Sequence, residues 1–118
     1  MIRSLKNLEF RQVYAKGRSK AVDSLVLYVL ENGTDVRRLG ITVSKKIGNS
    51  VIRSRVKRII KEAYRLQEEQ LKTGYDYVFI ARNSAREKKS TDMEIAIKRL
   101  AERLKVCKDT SNQKQVKS

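Results

Sequence analysis

The side chains of this sequence that could do chemistry are mostly cationic, and they are bunched. In the stretch KKIGNSVIRSRVKRIIKEAYR, Lys45 to Arg65, eight of twenty-one residues are lysine or arginine and one, Glu62, is a carboxylate. Arginine grips a phosphate through parallel N–H donors, and lysine meets it as a point charge. The same stretch also carries apolar residues. At ~100° per residue Ile52, Val56, Ile59, Ile60, Ala63 and Leu66 fall in one arc of a helix. That arc is expected to pack on the rest of the protein. Arg53, Ser54, Arg55, Lys57, Arg58, Lys61 and Arg65 then form an outward belt. Lys45 and Lys46 lie just before the helix N-terminus, whose unpaired N–H groups also attract anions. Aromatic rings add a second kind of chemistry. Phe10, Tyr14 and Tyr28 offer planes on which unpaired bases can stack. Phe10 and Tyr14 equally have the spacing of an ordinary amphipathic helix.

Other chemistries lack their residues. The chain has no histidine and one cysteine, Cys107, so neither an imidazole base nor a cysteine-pair zinc site is available. The segment GNS is too short for a phosphate-binding loop. Glu62 is expected to make surface pairs with Arg58 and Arg65, worth a few tenths of a kcal/mol. Asp76 reads as a strand-edge residue, and Asp92 and Glu94 as helix-cap residues. No catalytic residue, metal site or bound cofactor is therefore expected of the protein alone.

Twenty-eight Lys and Arg against thirteen Asp and Glu leave a net charge of +15. Ten of the cations lie between Arg37 and Arg65, beside the single acid Glu62. Such clustering points to a polyanion partner. A nucleic acid fits better than a membrane surface, because a small domain needs the apolar face of that helix for its own core. There is no run of eighteen apolar residues and no signal-peptide core, and the lone cysteine suits a reducing compartment. The cytoplasm is the expected location.

The elements that must place these residues follow from periodicity. NLEFRQVYAKG reads as a helix, with Asn7 as N-cap and Gly17 in the left-handed C-terminal position. Leu25 to Leu30 reads as a strand that is apolar on both faces, so both are covered or one serves another purpose. Asn32-Gly33 is a turn. RRLGITVSKK is a second strand, with Leu39, Ile41 and Val43 on one side. Asn49 or Ser50 caps the basic helix. Tyr75 to about Arg82 is a third strand. STDMEIAIKRLAERLKV is a last helix, with a Thr91–Glu94 capping box and an apolar face of Met93, Ile97, Leu100, Ala101 and Leu104. The result is an α-β-β-α-β-α order, a two-layer α+β domain over residues 1–106, followed by a polar tail at 107–118 expected to be disordered. The first two strands are expected to pair antiparallel. The strands flanking the basic helix are expected to be parallel, with a right-handed crossover by the general rule.

RLGITVSKKIGNSVIRSRVKRIIKEAYR resembles the signature of the bacterial ribonuclease P protein subunit, and the similarity runs in order from about residue 4 to 106. It includes the helix ending FRQVYAKG and the strands LVLYVL and YDYVFIAR. The resemblance implies a left-handed β-α-β crossover in place of the right-handed one. It implies a protein cofactor of a catalytic RNA subunit, with the RNA holding the required Mg²⁺ and cleaving the 5′ leader from precursor tRNA. It would put Phe10, Tyr14 and Tyr28 in a leader-binding cleft, and Lys45, Lys46, Arg53, Ser54, Arg55, Lys57, Arg58, Lys61 and Arg65 against RNA. The free protein is expected to be a monomer. One residue departs from the pattern: the motif usually reads Arg-Asn-Arg, and Ser54 stands where the asparagine would be. Without the resemblance, the basic belt equally suits a ribosomal or general RNA-binding protein.

Overall fold

The structure is a computed structural model and describes residues 3–108. Its elements are β1 (Arg3–Ser4), α1 (Asn7–Lys16), β2 (Arg18–Ala21), β3 (Leu25–Glu31), β4 (Arg38–Thr42), α2 (Ser50–Gln67), β5 (Tyr75–Ala81) and α3 (Ser90–Leu104). The α+β class and the expected order of helices and longer strands are present. β1 and β2 are additions. Both are too short and polar to show the alternation by which a strand is recognised. They flank a five-stranded sheet of order β1-β4-β5-β3-β2.

The expected antiparallel pairing of β3 with β4 does not occur. β5 lies between them, antiparallel to β3 and parallel to β4. YDYVFIA is the most thoroughly buried strand, so the central slot suits it best. The turn at Asn32-Gly33 is present, with Gly33 at φ 72°, but it closes no hairpin. Asn32 N–H donates to the Gly74 carbonyl, and Gly74 N–H donates to the Val36 carbonyl. The loop thus passes over the entry to β5. The parallel pair β4 and β5 is joined through α2, as expected.

Alternate strand residues divide between the two faces of the sheet. Leu25, Leu27, Val29, Leu39, Tyr77 and Phe79 meet Val56, Ile59, Ile60, Ala63 and Tyr64 of α2, together with Met93, Ile97, Leu100, Ala101 and Leu104 of α3. This is the main core, and the apolar face expected of α3 is buried as a unit. The arc expected of α2 needs one correction. Leu66 is 68% exposed, and Tyr64 is buried in its place. Gln67 takes the α3 side instead, its Nε2 donating to the Glu94 carbonyl (2.8 Å). On the other face, Leu5 and, from α1, Phe10 and Val13 lie over Val78 and leave Tyr28, Leu30 and Ile80 partly open.

Three helix ends differ from expectation. Asn7 is the first helical residue of α1, and the Lys6 N–H donates to Glu9 (2.8 Å). In α3 the Lys89 N–H donates to Asp92 (2.8 Å), so Asp92 is the capping acid and the Thr91–Glu94 box does not form. Gly17 is extended, not left-handed (φ −77°). A Cβ there would sit 2.5 Å from the Val13 carbonyl oxygen and 2.8 Å from that of Val29, so close approach requires the glycine. For α2 the expectation holds: Asn49 accepts the Ile52 N–H at 3.0 Å. At the C-terminal side, Cys107 bridges Leu71 in an isolated pair, and residues from 109 of the expected tail lie outside the described part.

Candidate nucleic-acid interface

The partly uncovered side of the sheet carries a groove of about 490 Å³, lined by Asn7, Phe10, Tyr14, Ile41, Thr42, Val43 and Lys57. Phe10 and Tyr14 stand one helical turn apart, which puts both on the sheet-facing side of α1. Their ring centroids are 6.2 Å apart. Tyr14 meets Tyr28 of β3 edge-on at 5.2 Å, so the three rings form one chain. Phe10 lies on Gly40, where a Cβ would come within 2.5 Å of the ring. That glycine lets α1 settle close to β4. Tyr14 is 40% exposed, and its hydroxyl is 3.2 Å from that of Thr42. Such a site offers flat π-faces, two hydroxyls and, through Lys57, one cation.

Lys57 connects this groove to the belt of α2. Ser54, Lys57, Arg58, Lys61 and Arg65 are exposed, as are Lys45 and Lys46 in the 3₁₀ turn Lys45–Ile47 that leads into the helix. Arg53 and Arg55 are half-buried and engaged with the backbone. Arg53 Nε donates to the Gly48 carbonyl (3.2 Å). Arg55 Nη2 donates to Lys88 O (2.6 Å) and Nη1 to Arg86 O (3.4 Å). The two arginines that flank Ser54 therefore brace loops, while the cations further along α2 extend into solvent. Glu62 makes none of the ion pairs found among the described residues; these are Arg38–Glu9, Arg38–Asp76 and Lys88–Asp23. The surface pairs expected of Glu62 do not form.

Residues 3–105 match the family model described as Ribonuclease P. The chain is 50% identical over 101 residues to the ribonuclease P protein component of Alkaliphilus metalliredigens, covering 86% of this chain and 91% of that one. It belongs to the ribonuclease P protein family. The corresponding protein of Clostridium botulinum is 55% identical over 93 residues, 78% of this chain and 84% of its own. The ribonuclease P protein of Staphylococcus aureus has a similar solved structure, with a TM-score of 0.80 at 32% identity over 90% of this chain and 98% of that one. The Thermotoga maritima protein gives 0.77 at 26% identity, over 86% and 96%.

Within this ribonuclease P protein fold, sequence reasoning missed a charged cluster next to the groove. Asp76 is not an edge residue. It lies in the central strand with its side chain 3% exposed, and Arg38 grips it with both Nε (2.7 Å) and Nη2 (2.9 Å). The Asp76 hydrogen bonds and charge, with Glu9 adding to them, raise the Arg38 pKa above its ordinary value. The one available signal was a polar residue inside an otherwise apolar strand, which implies a partner. Its partner is thirty-eight positions away, beyond the reach of local pattern. Among the described residues no three His, Cys, Asp or Glu side chains gather as a metal site, and no helix is long and apolar enough to cross a membrane.

Proposed function

We propose that this protein is the cofactor of a catalytic RNA in the cytoplasmic maturation of tRNA 5′ ends. The exposed cations of α2 and of the turn before it dock on that RNA, and the groove takes the single-stranded leader of precursor tRNA. The observation that carries this reading is the set of three linked rings, Phe10, Tyr14 and Tyr28, on the partly uncovered sheet face, of which Phe10 and Tyr14 line the groove together with Lys57 and Tyr28 extends the row through Tyr14. A base stacked on an aromatic side chain gains about 1–3 kcal/mol whatever its identity. That tolerance suits a leader that varies from one tRNA to the next. Lys57 can meet the leader backbone between stacked bases. Mg²⁺ and the cleavage of the phosphodiester belong to the RNA in this reading, and the protein contributes affinity and orientation. It enters the holoenzyme as a monomer.

Reconstitution with the catalytic RNA tests this. The protein should tighten binding of leader-bearing precursor relative to mature tRNA. Equal tightening of both would leave a general RNA-binding protein with no leader groove. Cleavage of precursor by pure protein in Mg²⁺ would move catalysis onto the chain and overturn the assignment.

A further inference from the structure

We infer that Glu9, Arg38 and Asp76 form a positioning device that sets where Phe10 and Tyr14 stand over the sheet, and so how selectively the groove takes an unpaired strand. The inference rests on the leader-groove reading and names residues that act on the groove through α1 rather than by touching RNA.

The contacts form a continuous path. Asp76 is buried in β5, and its Oδ1 also accepts Asn32 Nδ2 at 3.0 Å. Arg38 in β4 joins Asp76 through Nε and Nη2 and joins Glu9 through Nη1. The second carboxylate oxygen of Glu9 accepts the Lys6 N–H at the start of α1. Charge-assisted hydrogen bonds thus run from the centre of the sheet to the first turn of the helix that bears the groove aromatics. Phe10 is the next residue after Glu9, and Tyr14 is one turn further on.

Two considerations separate this from ordinary packing. First, α1 is weakly fastened by apolar contact. Val13 is its only fully buried side chain, and Leu8 is 71% exposed. A helix with so little buried surface belongs to the mobile end of a fold unless something directional holds it. The planar fork of arginine supplies direction, because its donors fit one arrangement of acceptors. Second, Arg38 is not free to serve as a phosphate ligand. Nε, Nη1 and Nη2 are all engaged, and the cluster of two carboxylates and one guanidinium repels a phosphate.

The test is Glu9→Gln in the full chain, assembled with the catalytic RNA. Glutamine can still accept the Lys6 N–H but loses the charge that faces Arg38. Affinity for the catalytic RNA and for mature tRNA should stay within about twofold. The preference for leader-bearing precursor should fall roughly three- to tenfold, the scale of one ordinary hydrogen bond, because glutamine keeps a neutral contact and loses only the added strength of the charge. Amide hydrogen exchange of α1 should accelerate while that of β5 stays slow. Tyr14→Ala, measured in parallel, separates the two levels. If Tyr14→Ala loses the leader preference and Glu9→Gln keeps it, the positioning role is wrong and the groove stands. If neither changes it, the groove reading falls and takes the positioning role with it. A drop in Glu9→Gln that affects precursor and mature tRNA alike would make the cluster a stability element only, and would also overturn the inference.

Discussion

The two faces of the sheet are made by the same strands and serve different ends. Toward α2 and α3, Leu25, Leu27, Val29, Tyr77 and Phe79 are sealed to 1% exposure or less. Toward α1, Val78 is sealed, but Val26, Tyr28, Leu30 and Ile80 stay half-buried. Both faces are apolar, so composition does not separate them. The covering helices do. α3 buries six side chains and α2 five, whereas α1 buries one. A period of two lets a strand stabilise the domain with one set of residues and offer a surface with the other. The aromatic residues on the lightly covered face are thus free for a ligand, while those on the closed face are committed to the core.

The sharpest way to break this comparison is to truncate one aromatic on each face. Phe79→Ala should cost about 3–5 kcal/mol of stability, the range for emptying a sealed aromatic site. That is a large part of the ~5–15 kcal/mol that holds a domain of this size together. Tyr28→Ala should cost clearly less in a denaturant titration. Its effect should appear instead as a loss of about 1–3 kcal/mol in binding leader-bearing precursor, with mature tRNA unaffected. Equal destabilisation by the two changes, without a leader-specific loss, would place Tyr28 in the core and erase the distinction between the faces.

The belt of α2 divides in the same manner. Arg55 is committed to the carbonyls of Arg86 and Lys88, whereas Lys57 is exposed beside the groove. Arg55→Ala should lower stability by about 1.5–3 kcal/mol, the range for hydrogen bonds to a charged group. Lys57→Ala should leave melting nearly unchanged and reduce the magnitude of the log–log salt slope for catalytic RNA by about 1. If Arg55→Ala shifts the salt slope and leaves melting alone, the guanidinium faces RNA and its backbone contacts are incidental.

Ser54 is an exposed residue of α2, placed between Arg53 and Arg55, which both donate to backbone carbonyls. A neutral hydrogen bond contributes about 1 kcal/mol net. Placing at this position the asparagine that the resemblance implies, Ser54→Asn, should therefore change holoenzyme affinity by no more than roughly tenfold, equivalent to ~1.4 kcal/mol. A larger gain would show that the middle residue, not the cations around it, dominates this part of the belt.

What was legible in the sequence was what has a short period. The α3 face from Met93 to Leu104 and most of the α2 stripe follow the helical repeat, and both are buried as that repeat requires. Phe10, Tyr14 and Tyr28 were legible as chemical types. Strand order was not, because periodicity says which way a residue faces and nothing about which strand lies beside it; hence the misplaced pairing of β3 with β4. The N-caps of α1 and α3 fall one and two residues ahead of the expected Asn7 and Thr91, because the carboxylates of Glu9 and Asp92 reach back to the Lys6 and Lys89 N–H groups in place of an N-cap side chain. The bracing roles of Arg53 and Arg55 depend on the carbonyls of Gly48, Arg86 and Lys88, and a carbonyl has no sequence signature.

The smallest expected effect lies within the closed face itself. Tyr64 is fully buried, and its hydroxyl is without a hydrogen-bond partner among the described residues, whereas the Tyr77 hydroxyl donates to the Lys72 carbonyl (2.6 Å). Its ring packs against Tyr77 and Phe79 at centroid distances of 6.1 Å in tilted and edge-on geometries, which phenylalanine would keep. Burying an unpaired hydroxyl carries a desolvation cost of about 1–3 kcal/mol, which its removal relieves. The site loses one oxygen's worth of contacts in exchange. Tyr64→Phe should therefore leave the melting temperature unchanged or slightly raised at neutral pH. Burial, the first cause, also lifts the Tyr64 pKa well above its usual value. A raised folded-state pKa means that the native state keeps its proton while the unfolded chain begins to ionise near pH 10, so stability contributed below that pH is lost as pH rises beyond it. One such tyrosine accounts for at most about 1.4 kcal/mol per pH unit. Above pH 10 the parent should lose stability faster than Tyr64→Phe, and subtracting the two curves removes the lysine titrations they share. A lower melting temperature at pH 7 would show that the Tyr64 hydroxyl is satisfied and that even the closed face holds a polar contact the packing depends on, and parallel curves through pH 11 would show that burial does not hold its proton.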